Sequence, residues 1–317
     1  MSAVRSGGIV VVGSVNVDLT VRVDRRPAAG ETVPGRSLAV TAGGKGANQA
    51  LAAARLGGHV TLVGAVGRDA HADVALDLLR SAGADLNPVT PVDDSTGVAV
   101  IVVDGGGDNS IMVVPGANGR VGAAAVAVAR AAIAGADVVI LQMEIPRDGV
   151  EAAAAACRGR LIFNLAPAGA IDSAVLRLAD PLVVNEHEAA AAVSLLAGGP
   201  PTVSALAPGT EADCAAQLLA AGVPSVVLTM GSRGAVIAPG QGRPVEALPA
   251  IPVTAVDTTG AGDAFVGALA VSLAAGQTLG AAARYATRVA AYSVQRAGAQ
   301  PSYPGRDDVL PVLEESL

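Results

Sequence analysis

Val256-Asp257-Thr258-Thr259-Gly260-Ala261-Gly262-Asp263-Ala264-Phe265 joins two kinds of sequence. Before it, Ala250 to Val256 is an apolar run that reads as a strand; after it, an Ala/Leu/Val-rich run reads as a helix. Gly260 and Gly262 let backbone N–H groups crowd toward one spot, because no Cβ blocks the approach. That spot is a helix N-terminus, where unpaired amides and the macrodipole favour an anion. Asp263 lies inside the same turn, so a carboxylate is held beside an anion cradle. One group can take a proton while the amides stabilise charge on a transferred phosphoryl group. The same Asp can also act as a helix cap and nothing more. The rest of the chain has to decide.

Outward from this turn the chain alternates. Val60–Val66, Asp137–Leu141, Leu161–Asn164, Leu182–Val184 and Ser225–Thr229 read as strands. Among them, Ala70–Ala82, Val121–Ala134, Asp148–Ala156 and Ala212–Ala221 read as helices. That rhythm predicts an α/β fold: a doubly wound, mostly parallel sheet with helices on both faces and ligands at the C-terminal strand ends. Polar groups fall at those ends. Glu144 follows Leu141-Gln142-Met143, Asn185 and Glu188 follow Val184, and Thr229 precedes Gly231-Ser232-Arg233-Gly234. Each alone suits a cap or a solvated loop; their joint placement points to a site.

Ile9 to Val12 is short and continuously apolar, as in a strand buried on both faces. It runs into Gly13-Ser14-Val15-Asn16-Val17-Asp18. Asn16 and Asp18 share a face if the chain stays extended. An amide beside a carboxylate can bind vicinal hydroxyls, although a strand-end turn also explains the pair. Thr20–Asp24 and Glu31–Thr41 read as extended, and Thr96–Val103 with Ser110–Val114 as a hairpin around Asp104–Asp108. These segments break the alternation. They predict a small β-sheet lid inserted at about 19–42 and 96–115 of a single domain spanning 1–317.

Between the lid segments lies Ala42-Gly43-Gly44-Lys45-Gly46-Ala47-Asn48-Gln49-Ala50, opening a helix that stops near Leu56-Gly57-Gly58. It lacks the spacing and the Ser or Thr of a Walker P-loop. Lys45 is the only lysine among 21 Lys and Arg residues. A neutral surface position in this chain would be Arg, so a lone Lys among glycines marks a need for a compact ammonium rather than a planar fork. Lys45 and Asn48, three apart, can face the same way.

Composition excludes other classes. A net charge of −7 argues against a nucleic-acid partner, and five aromatics without Trp leave any nucleotide pocket to aliphatic side chains. Cys157 and Cys214 are isolated, which suits a reducing cytoplasm, and His59, His71 and His187 make no zinc pattern. The uncharged runs Ala264–Ala283 and Ala189–Thr210 are interrupted by Gly276-Gln277-Thr278 and Gly198-Gly199-Pro200-Pro201, so no membrane span is expected.

Taken together, these motifs resemble the ribokinase family of sugar kinases, the PfkB-type carbohydrate kinases. Gly43–Ala50 resembles its first signature, Asp257–Phe265 its second, and Asn185-Glu186-His187-Glu188 its Asn-x-x-Glu. The likeness runs from Gly13 to about Ser302. It implies transfer of phosphate from ATP to O5 of D-ribose, with Asp263 as base and the amides of Gly260, Ala261 and Gly262 as anion hole. Asn16, Asp18, Gly43, Gly44, Lys45, Asn48 and Glu144 would bind the sugar, with Ala99 and Ile101 from the lid. Asn185, Thr229, Met230, Gly231, Ser232, Arg233, Gly234, Gly262 and Thr287 would meet ATP. Thr287 departs from the Asn or His of many relatives.

The resemblance also implies Mg²⁺, organised indirectly through Asn185 and Glu188. It implies K⁺ held by Asp257, Thr259, Ser293, Arg296, Gly298 and Ser302, mostly through backbone carbonyls, and a homodimer formed through the lid. Deoxyribose, nucleoside and fructose kinases share the second signature and stand as alternatives, as does a catalytically silent sugar-binding regulator. A dinucleotide dehydrogenase is disfavoured, because no Gly-x-Gly-x-x-Gly follows the first strand.

Overall fold

Ile9 and Val11 face one side of the first strand, Val10 and Val12 the other, and all four are buried. Such a strand is stable only inside a sheet covered on both faces. The computed structural model, described for residues 8–312 other than 107 and 203, places it there. The strands are β1 (Gly8–Val12), β2 (Asn16–Val23), β3 (Gly35–Gly43), β4 (His59–Gly67), β5 (Val89–Val92), β6 (Gly97–Val103) and β7 (Asn109–Val114). They continue with β8 (Val138–Leu141), β9 (Arg160–Asn164), β10 (Leu182–Asn185), β11 (Val226–Thr229), β12 (Ala235–Ala238) and β13 (Glu246–Leu248).

The main sheet has nine strands in the order β13-β12-β11-β10-β9-β8-β1-β4-β5. From β5 to β11 neighbours are parallel, and β12 and β13 add an antiparallel edge. The chain builds outward from β1 to β5, then returns to β8 on the other side of β1. That reversal opens a crevice beyond the C-terminal strand ends.

One face of the sheet is covered by α1 (Lys45–Arg55), α2 (Ala70–Ser81), α9 (Ala261–Ala274) and α10 (Leu279–Ser293), through Leu51, Leu79, Leu269 and Val289. The other carries α3 (Ala123–Val128), α4 (Arg130–Gly135), α5 (Arg147–Ala156), α6 (Ser173–Leu178), α7 (Glu186–Leu196) and α8 (Glu211–Ala220). Gly267 lets α9 lie directly on α1: a Cβ there would come 2.7 Å from both Ala52 Cβ and the Gln49 carbonyl. This close approach brings the first turns of the two helices together.

The four remaining strands form a separate sheet, β3-β2-β6-β7. Its central pair, β2 and β6, is parallel, with antiparallel partners outside. At its root Asn16 sits between Gly43 and Gly97. Among the described residues no helix is long and apolar enough to cross a membrane.

Three expectations are corrected. Ala250–Val256 forms no strand: Pro252 lacks a donor, Val256 is 66% exposed, and the N–H groups of Val256 and Asp257 both donate to the Val294 carbonyl. The helix expected over Val121–Ala134 is two short ones, α3 and α4, broken at Ala129. The strand of the lid starts at Asn16, directly after the Gly13–Val15 connection, so the inserted segments are 16–43 and 97–114. β5, β12, β13, α6 and α7 add to the elements that the sequence pattern predicts.

Candidate active site

Helix α9 follows Gly260, whose φ of +75° is a left-handed value open to glycine at no cost. A Cβ at that position would meet Tyr303 Oη at 2.5 Å and Ala299 Cβ at 2.6 Å. No side chain caps this helix. The Ala261 N–H donates to the Thr258 carbonyl at 3.2 Å, whereas those of Gly260, Gly262 and Asp263 meet no acceptor among the described residues. Gly262 has open space where its Cβ would be. The result is a helix N-terminus with bare donors on an open side.

Asp263 is buried and both its oxygens are occupied. Oδ2 accepts from Asn48 Nδ2 and Oδ1 from Gln49 Nε2, each at 2.9 Å. Asn48 and Gln49 lie on the first turn and a half of α1, which follows Gly44 with φ +88°. Here the amides are consumed: Lys45 N–H donates to Glu144 Oε2, Gly46 N–H to Ser14 Oγ, and Ala47 N–H to the Ser14 carbonyl. Ser14 Oγ itself donates to Glu144. Gly46 packs on the Gly13-Ser14 connection after β1, where a Cβ would lie 2.5 Å from Ser14 N.

Asp18 lies over Gly43, where a Cβ would collide with its carboxylate. Burial, then the nearby charges of Glu144 and Asp263, push its carboxyl up to about 6. Lys45 answers this cluster: Asp263 foremost, then Glu144 and Glu188, raise its ammonium against the opposing effect of burial. Asn118, on the turn after β7, donates to Asn16 Oδ1 at 2.7 Å and accepts from Val15 N–H, which holds the Asn16 amide in one orientation. Ala99 and Ile101 lie on β6, opposite Asp18 and Thr20.

Two cavities meet at the start of α9. The smaller, about 150 Å³, is polar and lined by Lys45, Asn185, Glu188, Thr229, Gly262 and Asp263 among others. The larger, about 530 Å³, is mainly apolar and runs between the Gly231–Gly234 turn, the 250–255 segment and α10, with Phe265 and Thr287 in its wall. Thr229 and Gly262 line both. Gly231, Ser232 and Gly234 thus reach the large cavity, while the Arg233 guanidinium turns away to pair with Glu186 and Glu211. Met230 packs against the α3–α8 core.

Asn185 caps α7, accepting from the N–H groups of His187 and Glu188, and Glu188 accepts from Asn185 N–H. Burial raises the Glu188 carboxyl. Asp257 ties two loops together by accepting from Thr259 N–H at 2.9 Å and Gly298 N–H at 2.8 Å. Burial works against these hydrogen bonds, yet its carboxyl stays below the usual range. Ser293 and Ser302 are buried nearby in the chain, their hydroxyls donating to the Ala290 and Ala299 carbonyls. The Arg296 guanidinium stacks on Tyr292, 3.7 Å from the ring centre.

Gln49, Asn118, Gln142, Asn164 and Gln300 escaped the sequence reading as site residues. Gln49 stood inside the quoted glycine stretch, and Gln142 and Asn164 at strand ends, which was the available signal.

A buried carboxylate and a bare helix N-terminus between two cavities, on a doubly wound α/β scaffold, define a small-molecule phosphotransferase. The chain belongs to the pfkB family of carbohydrate kinases, which matches residues 7–306. It is 39% identical over 308 residues to a ribokinase of Bacillus subtilis, covering 96% of this chain and 99% of that one. The solved ribokinase of Thermotoga maritima superposes with a TM-score of 0.85 at 34% identity, covering 95% and 97%. An Arabidopsis thaliana ribokinase complexed with ribose and ATP gives 0.82 at 33%, covering 95% and 96%.

Proposed function

We propose that this enzyme transfers the γ-phosphoryl group of ATP to O5 of D-ribose, giving ribose 5-phosphate. The observation that carries the reading is the position of Asp263 where a polar cavity and an apolar, nucleotide-sized one share Gly262 and Thr229. Asp263 takes the proton of the primary hydroxyl, O5 bonds to Pγ, and the bond from Pγ to the bridging oxygen breaks, releasing ADP with the electron pair. The amides at the start of α9 stabilise charge on the migrating group.

Asn16, Asp18, Lys45, Asn48 and Glu144 hold the sugar, with Gly43 and Gly44 giving it room and Ala99 and Ile101 lying above. Thr229, Gly231, Ser232, Gly234 and Thr287 serve ATP; Met230 serves by anchoring the turn in the core, and Arg233 by holding it through Glu186 and Glu211.

The donors fit an indirect Mg²⁺ role. Asn185 Oδ1 and Glu188 Oε2 are committed to the cap of α7, and no cluster of three or more acidic, His or Cys residues is found among the described residues. When bound on the phosphates, Mg²⁺ neutralises their developing charge. The Asp257 and 293–302 loops offer hard oxygen donors that suit K⁺, with Arg296 contributing its carbonyl, since its side chain lies on Tyr292. Bound K⁺ would fix the loop that aims the α9 amides. KCl titrated at constant ionic strength should raise kcat or lower KM severalfold over NaCl; equal rates remove the cation from this reading.

Leu38, Val40, Ile111 and Val113 of the lid are exposed, an apolar surface that a second lid would cover in a homodimer. A monomer at micromolar concentration in light scattering would contradict that. Two free cysteines suit action in the cytoplasm, which fractionation would check.

The deciding experiment is an ADP-release screen over ribose, deoxyribose, fructose and adenosine. Ribose should give the highest kcat/KM by at least about tenfold. Preference for another acceptor overturns the ribose assignment, and sugar binding without turnover leaves a silent binding protein.

A further inference from the structure

The proposed base is gripped by two chains of side-chain amides, one ending on each oxygen of the Asp263 carboxylate. In the first, Gln142 Nε2 donates to Gln49 Oε1 at 2.6 Å, and Gln49 Nε2 donates to both Asn164 Oδ1 at 3.0 Å and Asp263 Oδ1 at 2.9 Å. In the second, Gln300 Nε2 donates to Asn48 Oδ1 at 3.0 Å, and Asn48 Nδ2 donates to Asp263 Oδ2 at 2.9 Å. Gln49, Gln142 and Gln300 are fully buried.

The direction of each chain follows from its anchors. Asn164 Nδ2 donates to the Val183 carbonyl, which can only accept, so Asn164 must turn its oxygen to Gln49. Gln49 must then present its NH₂ group, whose two hydrogens serve Asn164 and Asp263. Its oxygen is left for Gln142, which has to offer NH₂ in return. Flipping any amide would set oxygen against oxygen. The arrangement carries a cost: the buried side-chain atoms without a partner among the described residues are Gln142 Oε1 and Gln300 Oε1, the outer ends of the two chains. Ordinary cores avoid bare acceptors. Here both occur where an amide has been turned to feed the carboxylate.

We propose that Gln49, backed by Gln142, and Gln300, acting through Asn48, are positioning residues that lock the Asp263 carboxylate in the plane required to meet the sugar hydroxyl. The inference rests on Asp263 being the base. Gln300 also lies in the segment that closes on Asp257, so the second chain links that loop to the base.

The test uses Gln49→Met, Gln142→Met and Gln300→Met, close in volume but without the donors, in the full chain with the best sugar and ATP. Gln49→Met should lower kcat about tenfold to a hundredfold, Gln142→Met and Gln300→Met less, with KM for sugar and ATP within about twofold. Each variant is also placed in an Asp263→Ala background. A residue acting through the carboxylate should add no further loss there, because its target is gone. A merely structural residue would lower the residual rate by the same factor in both backgrounds, and that outcome overturns the proposal. So does unchanged kcat in the folded Gln49→Met and Gln300→Met variants while Asp263→Ala is inactive. If Asp263→Ala itself keeps wild-type kcat, it is the assignment of the base that fails.

Discussion

Helices α1 and α9 begin alike and end with opposite chemistry. Each starts after a glycine at positive φ, and neither has a side-chain cap. At α1, Ser14 and Glu144 take up the first amides, so what it offers the site is side chains: Lys45, Asn48 and Gln49. At α9, no acceptor comes near Gly260, Gly262 or Asp263 N–H among the described residues, so what it offers is backbone plus one carboxylate. A satisfied helix start becomes a platform; an unsatisfied one becomes a receptor for anions. Because Gly267 draws the helices together, the platform holds the carboxylate of the receptor.

The largest effect should come from removing the carboxylate and keeping the receptor. Asp263→Asn should cut kcat about 10²–10⁴-fold while sugar binding, measured by calorimetry, survives. More than about a tenth of wild-type kcat would break the division of labour between the two helices.

Next come the two glycines of α9. Gly260→Ala places a Cβ against Tyr303 and Ala299 at a φ that L-residues resist, so the turn should distort. We expect kcat to fall about a hundredfold, with stability lower by about 1–3 kcal/mol. Gly262→Ala meets nothing within 4 Å in the protein, so its melting temperature should hold while its methyl crowds the ATP side. Equal thermal behaviour of the two would refute this reading.

The platform is tested more gently. Lys45→Arg keeps the charge but cannot fit a fork beside Gly44 and Gly46, and KM for ribose should rise about tenfold. Unchanged KM would return the only lysine to a structural role.

The smallest effect is on stability. Asp18, with a folded pKa of about 6 against 3.8, binds more protons in the folded chain across that interval. Stability is therefore fully favoured below pH 4 and lost as pH rises through 6. Its ionised form costs on the order of 3 kcal/mol at pH 7. Asp18→Asn should raise the melting temperature by a few degrees at pH 7 and not at pH 4, while weakening sugar binding. No difference at pH 7 would remove the strain from this account.

Much of the scaffold was legible because β1, β4 and β8–β11 are short apolar runs bounded by turns, and both glycine stretches are local. Ala250–Val256 misled because its apolar residues line a cavity rather than a sheet. Nothing in a run of Ala and Val marks the break at Ala129. The antiparallel edge of β12 and β13 is hard to read because Ala235–Ala238 follows β11 with only a glycine turn and no α-helix between, outside the alternation, and Glu246-Ala247-Leu248 has no apolar run. Gln49 shows a different limit. It reads as an ordinary helical residue, and its meaning comes from Asp263, 214 positions away, where only packing of α9 on α1 makes the contact.

Asn16 lies between Gly43 and Gly97, so the lid narrows at its root to two glycines either side of one side chain. Tilted about that root, the sheet would act as a lever. At about 3.3 Å per residue, Asp18 stands about 7 Å from the pivot and Val23 about 23 Å. Any tilt of the lid is therefore geared down about threefold before it reaches the carboxylate over Gly43. A large excursion at the rim would become a fine adjustment at Asp18, and a small shift of Asp18 would be amplified by the same ratio outward to the rim.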